Sequence, residues 1–100
     1  MNEKEESLKL PHDSTLKNAS KLSIQEDKPI MLDYWMDSCD INNAAVMIGV
    51  KTNEEKLLVR SSEEFTSPIS KIYKVSEEYI IMTENSIYVV SSKIPTRRIS

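Results

Sequence analysis

Residues 66–92, TSPISKIYKVSEEYIIMTENSIYVVSS, constrain the fold of this chain more than any other stretch. Three runs rich in Ile, Val, Tyr and Thr follow one another, over residues 69–75, 79–83 and 86–90. Ser76-Glu77-Glu78 separates the first two and Glu84-Asn85 the last two. Short β-branched and aromatic runs broken by a few polar residues read as a β-meander. Asn85 is expected to take positive φ in the second turn, because its short amide tolerates the left-handed region.

Further strands are predicted upstream. From residue 30, Ile30, Leu32, Tyr34 and Met36 alternate with Met31, Asp33, Trp35 and Asp37, the period of a strand. Residues 44–50 (AAVMIGV) are continuously apolar, which suits a strand buried on both faces or central in a small barrel. Gly49, the single glycine, fits a bend or a close crossing of another backbone. Lys51-Thr52-Asn53-Glu54-Glu55 then reads as a hairpin loop and residues 56–60 as the returning strand. Ser61-Ser62-Glu63-Glu64 has the form of a helix cap, but Pro68 leaves room for one turn or a loop only. Phe65, the only Phe, is expected to plug the core. The expectation is therefore an all-β domain over residues 29–92, a small antiparallel meander or open barrel of five to six strands. Its expected core is Ile30, Leu32, Tyr34, Val46, Ile48, Leu57, Val59, Ile72, Ile80, Met82, Ile87 and Val89.

The flanks differ in kind. Residues 1–28 hold only Leu8, Leu10, Leu16, Leu22 and Ile24 as aliphatic anchors beyond Met1, and no aromatic residue. Pro11 breaks any helix running through the middle of the segment. So little apolar surface does not offset ordering entropy, so a disordered or extended N-terminal arm is expected, flexible or ordered by a partner. Residues 93–100 form a basic C-terminal tail with three cations and no acid. Its Arg97-Arg98-Ile99-Ser100 matches a basophilic kinase pattern, one short enough to recur by chance.

Charge and motif content narrow the function. Residues 29–92 carry ten Asp/Glu against five Lys/Arg, hence −5, whereas the tail is +3. An acidic domain repels phosphate, which argues against nucleic acid as its partner. One histidine, His12, and one cysteine, Cys39, leave no multi-histidine metal site, no internal disulfide and no histidine-based triad in prospect. The Asp and Asn residues of 37–43 lack calcium-loop spacing and are expected to close turns instead. Carboxylate pairs at Glu54/Glu55, Glu63/Glu64 and Glu77/Glu78 fall in turns, where solvation disfavours acid–base work. No enzyme activity, cofactor or metal is expected. With no membrane-spanning run and no secretory leader in MNEKEESLKL, no membrane partner is expected, and the place is intracellular (cytoplasmic) or a virion rather than secreted.

The pairing of Thr66-Ser67-Pro68-Ile69 with Thr83-Glu84-Asn85-Ser86-Ile87-Tyr88 resembles short uncharacterised β-rich proteins of large DNA viruses. The likeness covers less than half the chain and brings no site residues. It implies a small accessory or virion-associated protein. The composite expectation is a non-catalytic interaction or assembly protein that binds another protein or itself, as a homodimer or larger assembly. Strand addition at an open sheet edge is one contact route, and Trp35, Tyr73 and Tyr88 are candidate aromatic anchors. The alternative is a nucleic-acid-associated β-barrel touching phosphate through Lys93, Arg97 and Arg98.

Overall fold

The predicted meander forms, and it is the centre of the molecule. In the computed structural model, which describes residues 10–40, 42–43 and 45–99, nine elements follow in order. They are α1 (Asp13–Glu26), β1 (Ile30–Met31), α2 (Trp35–Ser38), β2 (Met47–Val50), β3 (Lys56–Val59), β4 (Ile69–Val75), β5 (Glu78–Thr83), β6 (Ile87–Ser91) and β7 (Thr96–Arg98). Residues 1–9 of the expected arm, with Leu8, as well as Ile41, Ala44 and the Ser100 of the kinase pattern, lie outside the described residues.

β4, β5 and β6 are antiparallel neighbours in a four-stranded sheet of order β1-β6-β5-β4. Its central strands are apolar on both faces. Ile80 opposes Val89 and Met82 opposes Ile87, so these four share one face, while Ile81 and Val90 fall on the other. A sheet buried on both faces needs a cover on each. α1 supplies the first, packing Ala19 and Leu22 with Ile80, Met82, Ile87, Val89 and Trp35. A second sheet, of order β3-β2-β7, supplies the other by setting Val46, Ile48 and Leu58 against Ile81 and Val90. The layers run helix, four-stranded sheet, three-stranded sheet.

This overturns the all-β expectation. The molecule is α/β with two open, mixed sheets, and no barrel closes among the described residues. β1 pairs parallel to β6, and β7 pairs parallel to β2, so the basic tail enters a sheet. Within the expected arm, residues 13–26 are helical rather than disordered or extended. Pro11 stands before the helix rather than inside it, where its missing N–H costs nothing. Asp13 lies in the first turn and complements the helix dipole. Thr15, Ala19 and Leu22, at i, i+4 and i+7, form one narrow inward stripe. Asp27, at φ 56°, ends the helix, and Lys28 N–H bonds the Ser23 carbonyl at 3.1 Å.

Other corrections are local. The strand expected from residue 30 stops at Met31, and residues 35–38 make a helical turn. Trp35 N–H bonds Leu32 O and Ser38 N–H bonds Tyr34 O, which breaks the alternation. Tyr34 therefore enters the core between the sheets and Trp35 the core beneath α1, while Leu32 and Met36 are exposed. Ile72 and Phe65 are exposed too, and Leu58, Ile81 and Val90 are core residues beyond the expected set. Asn85 does not take positive φ; Ser76 does, at 55°, in the first turn of the meander. The second turn is closed by Thr83, whose hydroxyl accepts from the N–H groups of Asn85 and Ser86. In the β2–β3 loop, Lys51 and Glu55 join by a 2.8 Å backbone bond and Glu54 takes the left-handed position, at φ 70°. Gly49 does admit a close neighbour, but it is the Ile99 side chain, whose Cδ1 lies 2.8 Å from where a Cβ would stand.

Candidate functional site

One buried polar cluster stands out. Glu78 opens β5 and is only 2% exposed, contrary to the solvated turn carboxylate expected there. Its Oε2 accepts from His12 Nδ1 at 2.6 Å, and its Oε1 accepts from the Thr15 hydroxyl at 2.5 Å and from His12 N–H at 3.2 Å. His12 is the N-cap residue of α1 and offers no side-chain cap of its own. Glu78 thus caps the helix from another element, setting a carboxylate at the positive end of its dipole. Burial raises the Glu78 pKa, but the bonds from Thr15 and His12 outweigh it and hold the carboxyl below its ordinary 4.5. The nearby Ser14 and Ser76 hydroxyls bond each other at 3.1 Å. The cluster is a clamp that fastens α1 to the sheet.

The clamp carries a prediction. A carboxylate whose folded pKa is lowered stabilises the fold above its unfolded value, and that contribution is lost as pH falls through the folded pKa. Thermal melts from about pH 6 down to about pH 3 should show stability falling at the acid end, with Glu78→Gln flattening that decline. At neutral pH, Glu78→Ala should cost about 1–3 kcal/mol, because the buried Thr15 hydroxyl loses its shorter acceptor, keeping only the Val75 carbonyl at 3.3 Å, and the His12 N–H loses its acceptor.

The six expected interaction residues do not gather in one place. Trp35 is 3% exposed in the core beneath α1. Tyr73 is half-buried on β4 and faces the helix side. Tyr88 is half-buried on the opposite face, its ring 5.4 Å from that of Tyr34, over which Arg60 stacks at 5.3 Å. Lys93, Arg97 and Arg98 are exposed. Arg98 is engaged by Glu54 at 3.1 Å and by the Lys51 carbonyl. Of the three cations, Lys93 and Arg97 have no ion pair among the described residues.

Two surfaces do have the form of contact sites. The first is the outer face of the three-stranded sheet. Met47 opposes Val59 and Gly49 opposes Leu57, so these residues share the face turned away from the core. Phe65 bridges to Val59, and Ile99 crosses over Gly49, extending the apolar floor at both sides. The result is an open groove of about 590 Å³ rimmed by Lys51, Arg60, Ser61 and Ser62, with Phe65 55% exposed. A loop makes the rim, since the Ser61 hydroxyl accepts from the N–H groups of Glu63 and Glu64 and no helix follows. Sequence reasoning missed this face: Leu57, Leu58 and Val59 are all apolar, so which side of the strand is turned outward depends on which layer covers the sheet, and Phe65, expected in the core, is exposed.

The second surface is the outer edge of β4, the last strand in its sheet. Beside it, Leu22 and Lys21 of α1 face Tyr73 and Val75 across a recess of about 250 Å³. No helix among the described residues is long and apolar enough to cross a membrane. In comparison with known proteins, no family model, no curated protein and no solved structure matches this chain.

Proposed function

We propose that this is a non-catalytic interaction or assembly protein that joins another protein, or a second copy of itself, through the outer face of its three-stranded sheet. The carrying observation is the apolar floor of Met47, Leu57 and Val59 on the sheet face opposite the core, roofed only by the exposed Phe65 and by Ile99. An apolar recess with an exposed aromatic side chain at its rim has the form of a contact site. The polar cluster at Glu78 is used up in capping a helix, which supports a scaffold rather than a catalyst. A virion-associated or accessory viral role belongs to the same reading, supported by the sequence texture of residues 66–69 and 83–88 alone.

Phe65→Glu is the direct test, since the side chain is exposed and its replacement spares the core. Light scattering coupled to size exclusion should show the full chain associating with rising concentration and Phe65→Glu remaining monomeric. If both are monomers, a displayed peptide library should yield binders of the parent chain that lose affinity about tenfold or more for Phe65→Glu. Monomers throughout, with no binder sensitive to Phe65, would contradict the proposal.

A further inference from the structure

The free edge of the four-stranded sheet carries its own chemistry. β4 is seven residues long, and among the described residues its outer backbone row pairs with no strand. Alternate peptide groups of an edge strand point outward and accept a further strand. Lys71 and Lys74 stand on opposite faces of this edge strand, both exposed, with no ion pair among the described residues and no acid between Ile69 and Val75. Two copies of β4 laid side by side would gather four lysines and no carboxylate, so self-pairing is disfavoured. The same lysines attract a strand of opposite charge.

The edge also has a side-chain receptor. α1 covers the helix-side face of β4 only in part, and there Tyr73 and Val75 meet Leu22 and Lys21 around the 250 Å³ recess. An added strand would place alternate side chains on this face, so an apolar one fits the recess and an acidic one two positions along meets Lys71 or Lys21, while acidic residues at the intervening positions meet Lys74 on the other face. The β-bulge between Ile69 and Lys71 limits the usable edge to the stretch from Lys71 onward.

We propose that β4 is a docking edge for an extended acidic segment of another protein, which adds as a fifth strand and seats an apolar side chain between α1 and β4. The edge lies on the other sheet from the Phe65 groove, so the two proposals fail separately.

The probe is a labelled octapeptide of glutamates with one central valine, read by fluorescence anisotropy on the full chain. It should bind about tenfold tighter than the counterpart with lysines in place of the glutamates, and more weakly as salt rises. N-methylation of alternate peptide nitrogens should abolish binding, because strand addition needs those donors. Lys71→Glu combined with Lys74→Glu should reverse the charge preference, and both sites are exposed enough for the variant to fold. Phe65→Glu should leave binding unchanged. No binding of either peptide, binding that survives N-methylation, or binding lost in Phe65→Glu would overturn the proposal.

Discussion

Ile80→Asp should abolish the folded state. Ile80 is fully buried at the middle of β5, between Tyr73 and Val89 in register and beneath the Ala19 stripe of α1. A carboxylate there would be packed among Ala19, Trp35, Met82, Ile87 and Val89, and burying a polar group among apolar neighbours costs several kcal/mol. Lost apolar contact adds about 2–5 kcal/mol. A domain of this size holds about 5–15 kcal/mol in all. Near-ultraviolet circular dichroism of the buried Trp35 should lose its signal, and thermal unfolding should lose its cooperative step. Ile80→Val, costing about 1 kcal/mol, is the control that keeps the fold. An Ile80→Asp chain with native Trp35 signal would show that this face is not core.

The segment 29–92 should fail to fold alone, although its composition marks it off from both flanks. Trimming removes α1, and with it the cover over Ile80, Met82, Ile87 and Val89. Each such side chain contributes about 1.5–3 kcal/mol when fully buried, so uncovering four of them by half removes about 3–6 kcal/mol of a total of about 5–15. The same cut removes β7 and Ile94, which lies in the core between the sheets. Denaturant titration of the trimmed chain should show no cooperative transition, whereas residues 1–100 should show one. A cooperative transition of normal amplitude in the trimmed chain would mean that α1 and β7 are accessories.

What could be read from the chain was whatever its local pattern dictates. The meander and the β2–β3 hairpin announce themselves, because β-branched runs and polar breaks occur where strands and turns occur. The helix did not, since its inward stripe is only Thr15, Ala19 and Leu22, and Ile24 points to solvent. Its anchor is Glu78, 66 positions from His12, and no window of sequence contains both. The parallel pairs were hidden for the same reason: alternation shows a strand's faces and not its neighbour. Around residues 30–37, alternation itself misled, because Tyr34 and Trp35 reach different layers from one helical turn rather than from opposite faces of one strand. Of the site, Tyr73 could be nominated from composition. That it lies on an edge, beside a recess lined by α1, depends on the order of strands in space.

Hydrogen exchange of the full chain, followed amide by amide, tests the layered fold and its open edge together. The slowest amides should be those of β5 and β6, flanked by strands and covered on both faces, and α1 should be protected well above unfolded rates. Alternate amides of β4 should exchange quickly until an acidic strand is added. Unfolded-like exchange across residues 13–26, or uniform protection along β4 in the lone protein, would contradict it.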